Sequence, residues 1–159
     1  MALTTLGYGA MQAGTVLQTS FHTFTTATSV TANSYADVGG SSFTFTPKLA
    51  SSLLHIATSV HCYTAKSGNA SGGTYDINVD GSLITQAGTA REYYIDIGGA
   101  SNQYCYSRQH KEVTVSASNT SAKTIKLQMK NYDNASSGTF TISFNQEYYS
   151  SIKVQEIAQ

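Results

Sequence analysis

Along most of this chain apolar and polar residues alternate one by one, in short runs punctuated by Gly, Ser and Asn, with almost no stretch at helical spacing. A two-residue period puts successive side chains on opposite faces of a strand, so each run predicts one buried face and one open one. The clearest case is Ser52 to Thr64: Leu54, Ile56, Val60 and Cys62 point to a core, and His55, Ser59, His61 and Tyr63 point away from it. Upstream, a strand from Thr15 carries Leu17 and Phe21 on one face and Val16, His22 and Phe24 nearer the other, an imperfect alternation that calls for a bulge. Tyr35 to Thr46 alternates through Phe43 and Phe45 and stops at Pro47, the chain's one proline. Lys66 to Gly73 reads as a loop, after which Tyr75, Ile77 and Val79 alternate with Asp76, Asn78 and Asp80. Asp80-Gly81 then predicts a tight hairpin, because a primed two-residue turn needs positive φ at both central positions. Further strands are expected over Glu92 to Ile97, Gln103 to Val115, Thr124 to Lys130 and Thr139 to Asn145, with Ile152 and Val154 closing the chain. About eight to ten short strands with turn residues between them predict an antiparallel β-sandwich, jelly-roll-like in class. Residues 1–14 follow no period and read as an attachment arm, leaving 15–159 as a single domain.

Composition narrows the functional classes. The 159 residues suffice for one core and are short for two. Nine basic and nine acidic side chains cancel, and charged residues are 11% of the chain, against roughly 25% in ordinary soluble domains. That balance excludes a nucleic-acid footprint. Ser and Thr make up about a quarter of the residues, and the first charged side chain is Asp37. With so little charge to keep copies apart, part of the surface is expected to be covered by identical subunits or a larger assembly. Met1 to Tyr8 has neither the basic start nor the apolar run of a secretory signal, and no run approaches the roughly 18 apolar residues of a membrane span. Cys62 and Cys105 fall in separate strand runs; reduced thiols are the expectation, with a bridge across a sheet the alternative.

Candidate chemistry is sparse, and the expectation is that the protein is not an enzyme. Asp76-Ile77-Asn78-Val79-Asp80-Gly81 matches the first half of a calcium-binding loop, but the twelfth position, which should be acidic, is Ala87, and a strand entering a hairpin accounts for the same residues. His55 and His61 share a face yet stand six residues apart, roughly 20 Å along a strand, too far to grip one ion. Only a row of such residues on a symmetry axis would let three copies do so. Glu92, Asp96 and Glu112 frame no nucleophile, and no phosphate loop or nucleophile elbow occurs. No catalytic residue, cofactor or metal site is assigned. Tyrosine is another matter: Tyr93-Tyr94, Tyr104, Tyr106 and Tyr148-Tyr149 supply six of eleven. Exposed tyrosines mark interfaces and stack on sugar rings, and adjacent pairs on a strand are expected to send one ring to each side.

Read in order, Gly14-Thr15-Val16-Leu17-Gln18, Ser34-Tyr35-Ala36-Asp37-Val38-Gly39, Phe43-Thr44-Phe45-Thr46-Pro47-Lys48, Ser51-Ser52-Leu53-Leu54, Val79-Asp80-Gly81-Ser82 and Ile152-Lys153-Val154-Gln155-Glu156-Ile157 resemble a β-domain common in tailed-phage virion proteins. The likeness runs from Gly14 almost to the end. It departs where Val79 replaces a basic residue before Asp-Gly and Gln155 replaces a terminal Met. The resemblance implies a jelly-roll-like module, generally a homotrimer, on the surface of a virion assembled in the host cytoplasm. Such modules occur as capsid decoration or cement subunits and as tail-fibre knobs. A chain with its own starting methionine and no shaft or heptad repeat favours the free-standing decoration role. Its partners would be further copies of itself and the major capsid protein or other virion proteins, with host glycans under the tail-fibre alternative, and no nucleic acid or membrane. The arm residues Leu3, Leu6, Tyr8 and Met11 are the candidate shell contacts.

Overall fold

The computed structural model describes residues 11–66, 71–84, 93–95, 103–132, 138–142 and 148–159. Within them every regular element is a strand: β1 (Val16–Phe24), β2 (Thr28–Val30), β3 (Ala36–Asp37), β4 (Phe43–Phe45), β5 (Leu53–Lys66), β6 (Ser71–Val79), β7 (Ser82–Leu83), β8 (Tyr93–Ile95), β9 (Gln103–Ser116), β10 (Lys123–Asn131), β11 (Gly138–Ile142) and β12 (Ser150–Ile157). All pairings are antiparallel, and they form two sheets.

In the first sheet β5 is the axis. One of its sides pairs along its whole length with β9, from Leu53 opposite Ser116 to Lys66 opposite Gln103. Its other side is shared end to end by β12, over Leu53 to Ser59, and β11, over Cys62 to Lys66. Beyond these lie β1, paired with β12, and β2, paired with β11. In the second sheet β10 takes β3 and β4 on one side and β6 on the other, with β7 and β8 beyond β6.

The alternation explains the packing. Leu54, Ile56, Val60 and Cys62 from β5, Ile152 and Val154 from β12, and Phe140 and Ile142 from β11 meet Tyr75 and Ile77 from β6 and Ile125, Leu127 and Met129 from β10 in one core between the sheets. The fold is therefore the antiparallel β-sandwich expected. The bulge expected in the first strand is present, as a register shift between Val16 and Gln18. Asp80 and Gly81 have φ of 50° and 89°, as the hairpin required.

Several expectations need correction. Tyr35 to Thr46 is two short strands, because the chain turns through Gly39 and Gly40, the latter at φ 72°. Gly72 and Gly73 belong to β6 rather than to a loop: Gly73 pairs with Asn131, and its missing side chain makes room for the Phe140 ring. Not all expectations change: Cys62 and Cys105 are free thiols, as expected, with Cys62 opposite Ser107 and Cys105 opposite Thr64.

Two polar devices hold the sandwich shut. Between β9 and β6, Lys111 reaches across the side of the molecule: its Nζ donates to the Tyr75 carbonyl and stands 3.7 Å from Oδ1 of fully buried Asp76. Tyr35 Oη donates to the other Asp76 oxygen at 2.8 Å. At the far end Glu156, also fully buried, takes five hydrogen bonds: from Lys48 N at 2.9 Å to each oxygen, Leu49 N at 2.8 Å, Ser52 Oγ at 2.7 Å and Gln18 Nε2 at 2.7 Å. Burial opposes the charge, but the donors from Lys48, Ser52, Leu49 and Gln18 outweigh it and hold the carboxyl below its ordinary value. Gln18 also donates to the Thr46 carbonyl, so β1, the segment before β5, and β12 are tied at one point.

Candidate functional site

The β5 residues that turn away from the core build the outer face of the first sheet, and registers set what lies beside each. One row across four strands reads Phe21, Lys153, Ala57, Glu112; the next reads Thr23, Ser151, Ser59, His110. Toward the Lys66 end, His61 stands opposite Arg108 and Tyr63 opposite Tyr106, while toward the other end His55 stands opposite Thr114. The middle of the face thus holds Ala57, Ser59 and Ser151 beside Lys153, and β9 lines one side of it with Tyr104, Tyr106, Arg108, His110 and Glu112, all exposed.

Aromatic rings gather at the Lys66 end. Tyr63 packs against Tyr106, with centroids 4.9 Å apart, and Tyr104, at 6.0 Å. Burial, then the neighbouring tyrosines 106 and 104, push the Tyr63 hydroxyl above its usual pKa. Tyr148 lies flat on His61, centroids 4.5 Å apart and planes within 9°. Arg108 donates to Ser59 Oγ at 3.0 Å and to the Tyr149 carbonyl at 3.3 Å, with its guanidinium 5.6 Å from the Tyr149 ring centroid. Both tyrosines of the 148–149 pair are exposed, which overturns the expectation of one ring on each side of a strand: they precede β12, where no strand enforces alternation. The side chains of Tyr93 and Tyr94 lie outside what the structure describes.

His61 is 7% exposed under this cover, and its Nδ1 has no hydrogen-bond partner among the described residues. Burial, and secondarily the Arg108 charge, lower its pKa. The unfolded chain therefore takes up this proton more readily than the folded one. Stability owed to neutral His61 is complete above the unfolded value near 6.5 and is lost as pH falls through the lower folded value. Urea unfolding between about pH 7.5 and about pH 5 should show that loss, and His61→Gln should flatten it; an equal slope in the variant would refute the assignment.

The other sequence candidates are placed as follows. Asp80 Oδ1 accepts from Thr124 N at 2.8 Å and Oδ2 faces Lys123 Nζ at 3.5 Å, while Asp76 is engaged with Tyr35 and Lys111. Those carboxylates serve the hairpin and the side of the sandwich. His55 pairs with Glu112 at 3.6 Å; His22 bonds the Gly40 carbonyl at 2.7 Å and stacks on Phe43, away from the other histidines. Of the proposed arm contacts, Leu3, Leu6 and Tyr8 lie outside the described residues, and Met11 is half-buried just before the chain joins the sheet through Gly14 N and the Ala158 carbonyl, 2.8 Å apart. No helix of the described residues is long and apolar enough to cross a membrane. No protein-family model matches the chain, and no curated protein matches it either.

What this face offers is recognition: flat aromatic surface, a guanidinium and a carboxylate on one border, and small residues behind them. Sequence reasoning found the tyrosines by their clustering. It missed Arg108, whose role depends on Tyr149, a residue 41 positions away brought close only by the fold.

Proposed function

We propose that this chain is a non-enzymatic structural subunit of a tailed-phage particle, a jelly-roll-like decoration or cement protein that fastens neighbouring shell subunits from the capsid surface. The observation that carries the reading is the convergence at Glu156. Gln18, Thr46, Lys48, Ser52 and Glu156 come from four of the sequence segments by which the chain resembles the virion domain, and those residues meet in one hydrogen-bonded clasp. Residues 1–14 would reach the shell, and each weak contact would gain from repetition across many attached copies.

Copy number tests this. Quantitative mass spectrometry of purified particles should give hundreds of copies per virion, with density on the shell by electron microscopy; a few dozen copies confined to the tail would overturn it. The second reading, a tail-fibre knob that binds host glycans, is favoured by one observation, the exposed tyrosines beside Arg108.

A further inference from the structure

Among the described residues all the sheet edges but one are blunted. In the second sheet the outermost strands β3, β4, β7 and β8 are two or three residues long, as is β2 in the first. Edges so short give a foreign strand little to pair with. β1 is longer, but it carries the bulge between Val16 and Gln18, and its Gln18 and His22 hold the Thr46 and Gly40 carbonyls. β9 is different. It runs 14 residues without Gly, Pro or a register shift, and among the described residues it pairs with β5 alone. An antiparallel strand paired on one side directs alternate backbone N–H and C=O groups outward, a template for one more strand.

The side chains of β9 select the strand that fits. Arg108 and Glu112, both exposed, stand at equal distances on either side of His110. When a strand meets its own copy about a two-fold axis through one residue, residues of like parity face each other and each sheet face continues across the seam. An axis at His110 places Arg108 opposite Glu112 of the second copy on both sides of the axis, at the Cβ separation of about 5 Å that cross-strand partners share. It also sets Tyr104 and Tyr106 opposite Ser116 and Thr114, so the strand is used from end to end. Neighbouring registers lose this match: an axis at Gln109 sets Arg108 against His110 and Glu112 against Tyr106, and one at Lys111 sets that lysine against itself. On the core side Val113 and Val115, only partly buried, come opposite Ser107 and Cys105 of the second copy. Lys111 is engaged by Asp76 and the Tyr75 carbonyl of its own chain. Arg108 uses one N–H on Ser59 and one on the Tyr149 carbonyl and has donors to spare, and the Glu112 side chain is 68% exposed.

We infer that β9 pairs antiparallel with β9 of a second copy of this chain about a two-fold axis at His110, joining two first sheets into one continuous sheet with Arg108 and Glu112 paired twice across the seam. The contact is isologous, so it closes at two copies. It differs in surface and in number from the trimer that the resemblance implies. The inference goes beyond the proposed function, since it holds whether the particle carries the protein on its head or its tail.

Light scattering coupled to gel filtration, together with amide hydrogen exchange, tests it on the full chain. The wild type should elute at twice 16.9 kDa. Alternate amides along β9, those not bonded to β5, should exchange about tenfold more slowly in the dimer than at dilutions that dissociate it. Glu112→Arg should weaken association about tenfold or more, by setting Arg opposite Arg twice, and the exchange R108E/E112R should restore it. Circular dichroism melts show whether each variant is folded, and the exchange measurement on the wild type depends on no variant. A monomeric wild type, a trimer, a dimer whose outward β9 amides stay fast, or a double variant no better than Glu112→Arg would each overturn the inference. So would a monomer whose β9 amides slow only on purified shells, which would give the edge to a strand of another protein. Copy number is measured separately: a protein found only on tails would sink the decoration reading and leave the dimer standing, and a monomer abundant on heads would do the reverse.

Discussion

Replacing Glu156 with alanine is expected to lower the free energy of unfolding by about 3–5 kcal/mol. The loss comes chiefly from the donors left behind. Lys48 N, Leu49 N and Ser52 Oγ all point at the carboxylate, and without an acceptor each carries a desolvation cost of about 1–3 kcal/mol, partly relieved where water enters. Glu156→Gln keeps the shape but turns an amide NH₂ toward some of the same donors, so a loss of about 2–3 kcal/mol is expected. The pH dependence provides a second readout. The folded carboxyl titrates below its ordinary value of 4.5, so its contribution is whole above that value and drains away as pH falls through the folded value. Urea midpoints measured at neutral pH and then in acid should converge for wild type and Glu156→Gln. A Glu156→Ala protein as stable as wild type at neutral pH would show that the clasp is redundant.

How much of this was legible beforehand depends on the range of the interaction involved. Alternation is a local signal. It assigned Leu54, Ile56, Val60 and Cys62 to the core, and all are buried there. The hairpin at Asp80-Gly81 was equally legible, since the turn's φ requirement is written in two adjacent residues. Failures began where a residue's role depends on a distant segment. Asp76 and Asn78 alternate with core residues and so read as solvent-facing, yet both are buried, Asp76 beneath Tyr35 and beside Lys111 and Asn78 against Gln128. Tyr148 and Tyr149 looked like a strand pair and are a cap on His61 and Arg108. For the candidate face, parity placed His55, Ser59, His61 and Tyr63 on it. Parity could not supply the neighbours, because the register that sets Glu112 in line with Lys153 is a property of three strands together.

Gly73 is the sharpest example of a non-local requirement, and Gly73→Ala is expected to cost about 2–4 kcal/mol although it adds one methyl group. The position has no unusual backbone angle, so conformational freedom is not the reason for glycine. Space is. A Cβ there would stand 2.3 Å from both Cγ and Cδ1 of Phe140 and 2.7 Å from the Lys130 carbonyl oxygen. The carbonyl belongs to β10, whose pairing with β6 fixes Gly73 opposite Asn131, so it moves only if the ladder between these two neighbouring strands of the second sheet distorts. The Phe140 ring is fully buried and wedged between the sheets, with little room to retreat. Relief must therefore come from shrinking the ring. Phe140→Leu alone should destabilise by about 1–2 kcal/mol, within the usual range for a core substitution that changes shape and volume. Combined with Gly73→Ala, the total loss should be smaller than the sum of the two single losses by about 1 kcal/mol or more, a coupling that residues in direct contact can sustain. Denaturant unfolding of the four proteins measures this cycle directly. Strict additivity would mean that the methyl is accommodated by movement of the β10 backbone, and that the glycine answers to the Lys130 carbonyl rather than to the aromatic ring above it.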